Sequence, residues 1–243
     1  MGPGEWGAMM GVSQGFWRST WEQVESLVWP VQCSGCKKWD TELCGACAKL
    51  AEGPAEGLIL EDELGVPGWP LLTLGDYQGA LRGIVLAAKH DRVRDLTPFL
   101  EQAGHTLGKA LSKEPGLRTA RGIWVVPAPS SRARVKAKAE IVPLVARAVA
   151  EQMEADLGIQ VQVVPAVELM VARALLSGSQ AGLSSRARGR SRTGSMRRVL
   201  TSKAPVPMVV VDDVVASGAT VREMLRLLDP AVIAVAALAV SMR

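Results

Sequence analysis

The chain has 243 residues and a formal net charge of +4, a length that can bury the core of one α/β domain with a small appendage. Only one Tyr and two Phe are present, so we expect an aliphatic core. No stretch reaches the ~20 apolar residues needed to cross a bilayer. The amino terminus also lacks the pattern of a secretory signal. We therefore expect a cytoplasmic protein without membrane insertion.

Residues 1–30 are predicted to form an N-terminal amphipathic helix. Ser13 can cap a helix over roughly residues 14–29. Its apolar side chains recur at i, i+4, i+7 and i+11 on one face: Trp17, Trp21, Val24 and Val28. Such a stripe is more typical of a packing face than of a ligand cage.

Residues 31–52 contain every cysteine of the chain, in two C-x-x-C pairs: Cys33, Cys36, Cys44 and Cys47. This spacing can bring four thiolates to one tetrahedral Zn²⁺. A disulfide framework is disfavoured, because the four cysteines are confined to one short segment of a long chain. A redox-active pair is the other alternative. The pattern favours a four-cysteine zinc finger in which the metal is structural, since no open ligand position is evident.

Residues 53–72 are acidic, contain Gly and Pro, and are interpreted as a linker to a domain over residues 73–243. In that domain, residues 79–111 indicate two helices broken near His90 and Asp91. Further along, strands alternate with helices, which predicts an α/β fold with a parallel sheet. The predicted strands are 122–127, 160–165, 208–212 and 231–239, and the predicted helices are 138–157 and 218–228.

The strongest functional pattern runs from Met208 to Thr220, where an apolar strand is followed by two carboxylates and a turn of small residues. Continuous apolar runs are typical of strands buried on both faces. Open α/β sheets bind ligands at the carboxyl ends of such strands. Asp212 and Asp213 suit sugar hydroxyls or a Mg²⁺ shell. Backbone N–H groups and hydroxyls at a helix start can hold a phosphate, here from Ser217, Gly218, Ala219 and Thr220.

Other interpretations of this segment fit less well. A Walker A loop requires a lysine after the glycine, and a dinucleotide site requires G-x-G-x-x-G, neither of which is present. An ordinary strand–helix turn with capping aspartates is the non-functional alternative. The paired carboxylates and the small-residue turn together favour a phosphorylated sugar bound with a metal.

Positive charge is concentrated between residues 121 and 203, which hold 14 Lys or Arg against 5 Asp or Glu. Residues 173–198 alone contain seven arginines and no acidic residue. Such a segment attracts polyanions, either a diphosphate or a nucleic-acid backbone. A solvated loop whose charge only aids solubility is the alternative.

The strand and loop from Met208 to Thr220 resemble the phosphoribosyl-diphosphate (PRPP) loop of type I phosphoribosyltransferases. Together with the four-cysteine pattern, the chain resembles the ComF family of bacterial phosphoribosyltransferase-like proteins. The resemblance spans roughly residues 29 to 240 and includes segments beginning at Tyr77, Val125 and Arg173. It implies a type I phosphoribosyltransferase fold, PRPP with Mg²⁺ as ligands, and a link to DNA uptake.

The resemblance also implies residue roles. Asp212 and Asp213 would be catalytic. The 5-phosphate would be held by Val215, Ala216, Ser217, Gly218, Ala219 and Thr220. The pyrophosphate side would be formed by Lys89, Ser130, Ser131, Arg132, Arg173, Gln180 and Arg186. Lys89 could instead be a cation at a helix C-terminus.

Several positions depart from the family pattern. Ala216 stands where Thr is commoner, and the family's Arg-Gly-Phe-Asn-Gln segment is replaced by a sequence beginning at Arg134. The replaced segment lies away from the PRPP loop, so the sequence indicates sugar-phosphate binding more strongly than transfer to an acceptor. The alternative function is a non-catalytic module that senses a phosphosugar or binds single-stranded DNA or DNA-processing proteins.

Overall fold

The centre of the protein is a six-stranded sheet. The structure, a computed structural model, describes residues 31–61, 67–91, 93–130, 140–170, 194–200 and 206–241. The sheet strands are β1 (Glu56–Glu61), β2 (Pro67–Thr73), β3 (Gly122–Pro127), β4 (Gln160–Val163), β7 (Met208–Val215) and β8 (Val232–Val240). Their order is β1-β2-β8-β7-β3-β4, with β1 antiparallel to β2 and all other neighbours parallel. The expected α/β class with a mostly parallel sheet is confirmed.

Helices flank this sheet. They are α1 (Gly45–Ala48), α2 (Gly79–His90), α3 (Thr97–Leu111), α4 (Pro115–Arg118), α5 (Val142–Leu157) and α6 (Ala219–Leu228), with a 3₁₀ turn over Lys49–Ala51. The break predicted near His90 and Asp91 is confirmed, since α2 ends at His90 and α3 begins at Thr97. No helix in the described ranges is both long and apolar enough to cross a membrane. The helix predicted within residues 1–30 lies outside the described residues.

Strand β7 is buried on both faces, as its valine run predicts. Val209, Val210 and Val211 have no exposed surface. Their strand pairs with β3 on one side and β8 on the other, so backbone N–H and C=O groups removed from water find partners. The strand continues to Val215, three residues beyond the predicted end.

The prediction of a linker over residues 53–72 is wrong. This segment forms β1 and most of β2, and β2 lies parallel to β8 with Leu71 opposite Val235. Pro67 and Pro70 are the reason the strand was not expected, because proline cannot donate to a sheet ladder. Both prolines pair only with β1, and the pairing with β8 begins after them, at Leu71.

A second, two-stranded sheet is formed by β5 (Val167–Leu169) and β6 (Met196–Arg198). Helix α6 contacts the segment that leads into β6. The buried carboxylate of Glu223 accepts a hydrogen bond from the Gly194 N–H at 2.7 Å and pairs with Arg226 at 2.9 Å. The Arg226 guanidinium lowers the pKa of Glu223 from its ordinary value of 4.5; burial opposes this shift and the Gly194 N–H supports it. Glu223 therefore ties the segment before β6 to the helix that follows β7.

We expect Glu223→Gln to lower the free energy of unfolding by about 1–3 kcal/mol at neutral pH, because charged hydrogen bonds are lost inside the protein. The lowered pKa means that this contribution is complete above the unfolded-state pKa and is lost as the pH falls through the lower folded pKa. The difference between wild type and variant should therefore shrink in acid. Urea unfolding between neutral and acidic pH measures it.

Glu168→Gln is the matched control. Glu168 pairs with Arg197 on the surface, where 48% of its side chain is exposed. Exposed ion pairs contribute only about 0–1 kcal/mol. A Glu223 variant as stable as the Glu168 variant would contradict the assigned role of the buried carboxylate.

Candidate functional site

Two adjacent carboxylates lie near the carboxyl end of β7, just past its last pair with β3. Strand β3 makes its last pair with Val211, and β2 makes its last pair with Ala237, which lies opposite Asp212. Strand β7 continues past both points beside β8, which pairs with it as far as Val215, so Asp213 lies beyond the last pairs of β3 and β2 but not beyond β8. Both aspartate residues are 8% exposed, and the Asp213 N–H donates to Asp212 Oδ1 at 2.8 Å. This is the edge at which open parallel sheets bind ligands.

Lys89 reaches this edge from the last turn of α2. Its Nζ lies 2.8 Å from Asp213 Oδ2, and the two side chains are only 14% and 11% exposed. The sequence singled out both residues as site candidates but did not predict that they would pair. Limited exposure to water makes this ion pair stronger than one on the surface. A cation and a carboxylate from distant parts of the chain are therefore held together at the end of the sheet.

The predicted phosphate loop connects β7 to α6. Val215 and Gly218 are buried, whereas Ala216 and Ser217 are exposed. Gly218 has φ +69°, a left-handed conformation that favours glycine, and immediately precedes α6. Ala219 and Thr220 begin the helix and are partly buried. The loop thus presents an exposed turn directly before the first backbone N–H groups of a helix.

Arg222 shapes this loop and was not anticipated. Its guanidinium donates a hydrogen bond to the carbonyl oxygen of Ser217. A Cβ added at Gly218 would lie 2.8 Å from Arg222 Nη1, so the guanidinium packs against the glycine. The available signal was its position in the first turn of the helix, four residues after Gly218. Arg222 adds a positive charge to the part of the site predicted to hold a phosphate.

The remaining candidates of the pyrophosphate side are only partly described. Ser130 is partly buried and follows the end of β3. Just after that strand, the Ala128 N–H donates a hydrogen bond to the carbonyl oxygen of Val211 at 2.7 Å. Ser130 therefore lies beyond the carboxyl end of a strand adjacent to β7. The other five candidates lie outside the described residues and their positions stay predictions: Ser131, Arg132, Arg173, Gln180 and Arg186.

The four cysteines form one cluster. All four are free thiols, and their sulfur atoms lie within 4.8 Å of one another. Tetrahedral zinc with Zn–S distances of about 2.3 Å requires sulfurs about 3.8 Å apart, and the sulfurs of Cys36 and Cys44 are 3.6 Å apart. Cys33 and Cys47 are buried. The cluster could therefore bind a metal such as zinc.

The pKa values of two of the thiols, Cys33 and Cys47, are shifted in opposite directions. Burial opposes ionisation of Cys33, but backbone N–H groups of Cys44, Cys36 and Gly35 donate toward its sulfur and lower its pKa to about 6. Burial and the neighbouring thiols raise the pKa of Cys47. Metal binding requires cysteine ligands to lose their protons, and four clustered sulfurs are a donor set that one metal ion can complete.

An open groove of about 940 Å³ lies between the cysteine segment and α2. Its charged lining includes Lys37, Arg82, Asp91 and Arg94, with His90 at the helix end. Arg94 is held by Asp91 at 3.1 Å and Arg82 lies 5.8 Å from the ring centre of Tyr77. The groove carries more cationic than anionic side chains, which favours an anionic occupant.

No protein-family model matches this chain, and a search of curated proteins also finds no match. Function must therefore be inferred from the residues themselves. In the described part of the chain, four features indicate function: the carboxylates with Lys89 at the sheet edge, the adjoining loop, the cysteine cluster and the basic groove.

We expect the reduced, purified chain to contain about one zinc ion, and Cys47→Ser to lose it, because a buried ligand is removed from a four-sulfur set. Metal analysis and the melting temperature measure this, and the variant should melt lower. Gly45→Ala is the matched control, since an added Cβ there meets nothing within 4 Å. A folded, fully reduced chain without bound metal would contradict the prediction.

Proposed function

We propose that this protein binds PRPP with Mg²⁺ at the sheet edge formed by Asp212, Asp213 and residues 215–220. The observation that carries the proposal is the Lys89–Asp213 ion pair, 2.8 Å long and largely shielded from water. It joins two residues predicted for this ligand from separate parts of the sequence. A cation facing a carboxylate beside a helix-start loop suits a ligand that combines hydroxyls with phosphates.

Each part of the site would take a different part of PRPP. The carboxylates of Asp212 and Asp213 would accept hydrogen bonds from the ribose hydroxyls. Backbone N–H groups of residues 215–220, with the hydroxyls of Ser217 and Thr220, would hold the 5-phosphate. Mg²⁺, when bound with the diphosphate, would neutralise part of its charge. Lys89 would hold the Asp213 carboxylate in place through their ion pair.

We further propose that the site transfers the phosphoribosyl group. In such a reaction the bond from carbon 1 to the diphosphate breaks, and a nucleophilic acceptor forms a new bond to carbon 1 and releases its proton. Positive charge develops on the sugar, near the two carboxylates, and negative charge develops on the leaving diphosphate. The protein would act mainly by positioning the reactants and neutralising charge.

We assign the cysteine cluster a structural zinc ion and, through the resemblance, place the chain with cytoplasmic ComF-type proteins linked to DNA uptake. Support comes from two patterns occurring together in one chain: the four clustered sulfurs and the strand and loop from Met208 to Thr220. A structural metal rather than a reactive one is favoured because four thiols complete a tetrahedron.

Calorimetry should detect PRPP binding to wild type in the presence of Mg²⁺, and PRPP should raise the melting temperature. Asp213→Asn should weaken binding by at least about tenfold, because a charge-assisted contact with the sugar is lost. Asp156→Asn, at an exposed position near the end of α5, is the matched control and should bind normally. For the comparison without Mg²⁺, the ion should be left out of the buffer and not removed with a chelator, so that the cysteine cluster keeps its metal.

The decisive contrary result is the absence of PRPP binding by a folded, metal-loaded wild-type chain. Equal affinity in wild type and Asp213→Asn would also remove the assigned role of the sheet edge. Either result would leave the basic groove as the better-supported functional feature.

A second candidate function, binding of single-stranded nucleic acid, is favoured by the basic groove beside the cysteine segment. Phosphate contacts release counterions, so affinity should fall steeply with salt. Replacing Lys37 and Arg82 by Ala should weaken binding to an oligothymidine and reduce the slope of log affinity against log salt by about one to two. Lys113→Ala with Arg118→Ala, two exposed cations outside the groove, is the matched control. An unchanged salt slope in the groove variant would exclude the groove as the contact surface.

A further inference from the structure

The cysteine segment lies directly on α2, and two glycines permit the contact. A Cβ added at Gly83, in the middle of α2, would lie 2.5 Å from the carbonyl oxygen of Ser34 and 3.0 Å from that of Gly35. A Cβ added at Gly35 would lie 2.7 Å from the Cys47 sulfur and 3.2 Å from Ala80 Cβ. The backbone of the cysteine segment therefore lies against α2 without space for a methyl group at Gly83, and Gly35, which faces Ala80 of the helix, also lies against the Cys47 sulfur within the segment.

A second set of contacts holds the end of α2. The guanidinium of Arg94 donates to Ser34 Oγ at 3.2 Å and pairs with Asp91 at 3.1 Å. The Asp91 N–H in turn donates to Ala87 in the last turn of the helix, at 2.7 Å. Ser34 Oγ also donates to the carbonyl oxygen of Glu42, at 3.1 Å. The cysteine segment is thus connected to both the middle and the end of α2.

Lys89 lies between these two points of attachment. A helix rises about 1.5 Å per residue, so Lys89 is only about 9 Å along the axis from Gly83. Its ammonium reaches Asp213 at 2.8 Å. Because an α-helix moves nearly as a rigid body over this length, a shift of Gly83 would also move the backbone that carries Lys89.

We propose that the metal-loaded cysteine segment positions Lys89 on Asp213 through its contact with Gly83, so that the integrity of the cluster sets the ligand affinity of the sheet edge. Gly83 is then a positioning residue with no contact to ligand. The coupling itself is a property of the protein alone, while its effect on PRPP affinity rests on the proposed function.

The coupling is tested without ligand by measuring how fast an acylating reagent modifies the Lys89 amine, with peptide-level mass spectrometry. The exposed Lys113 serves as internal standard. Gly83→Ala should accelerate modification of Lys89 several-fold relative to Lys113, and so should removal of the metal from wild type. Gly45→Ala should not, because its added Cβ meets nothing within 4 Å.

Gly104→Ala separates this coupling from general destabilisation. An added Cβ at Gly104 would lie 2.8 Å from the Val145 carbonyl oxygen, in the contact between α3 and α5. This variant should destabilise the protein without accelerating modification of Lys89. Equal acceleration in the Gly83 and Gly104 variants would overturn the proposal, as would unchanged Lys89 reactivity in both Gly83→Ala and metal-free protein. Metal removal keeps the test decisive if Gly83→Ala does not fold.

The ligand arm uses PRPP. Gly83→Ala alone should weaken PRPP binding several-fold. In a chain that already carries Lys89→Met it should have little further effect, because both changes remove the same positioned ammonium. Additive losses would overturn the link to affinity. If wild type binds no PRPP, the proposed function fails, and the Lys89 reactivity still decides whether the cluster and the sheet edge are coupled.

Discussion

Burial of β7 on both faces is the constraint on which the rest of the structure depends. A central strand removed from water must hydrogen-bond its backbone on both sides, since each unpaired polar group costs about 1–3 kcal/mol. Strands β3 and β8 meet this requirement in parallel. Parallel pairing places the carboxyl ends of all three at one edge. The chain changes from valine to aspartate just past Val211, the last residue of β7 that pairs with β3, while β8 continues beside β7 to Val240.

Two carboxylates at such a position are costly without a cation. Asp212 and Asp213 are 8% exposed, and burial of an ionised group is unfavourable unless it is paired and hydrogen-bonded. The ammonium of Lys89 meets part of this requirement. Buried ion pairs often add little net stability compared with apolar side chains. We therefore interpret this pair as a contact that fixes the position of the Asp213 carboxylate at the sheet edge, and the helix that carries the lysine is part of the candidate site.

Helix α2 carries residues of three surfaces: the core, the groove beside the cysteine segment and the sheet edge with the carboxylates. Its buried face carries Leu81, Ile84 and Val85. Residues Arg82, Gly83, Leu86, Ala87 and His90 line the groove beside the cysteine segment. Lys89 leaves the same helix toward the sheet edge. With 3.6 residues per turn, one short helix can face the core, the groove and the carboxylates at once. A single helix therefore carries residues of all three surfaces.

The sequence alone determined the features that local pattern encodes: the buried valine strand, the break between α2 and α3, the alternation of strands and helices, and the clustering of the four cysteines. It misjudged β2, a proline-containing strand whose pairing with β1 and β8 comes from other parts of the chain. It also indicated Lys89 and Asp213 as candidate site residues but did not predict their ion pair. It did not single out Arg222 or Glu223. The contacts of these four residues depend on tertiary structure. Packing of the helices and strands decides which distant side chains form hydrogen bonds and ion pairs, and local sequence spacing does not encode that packing.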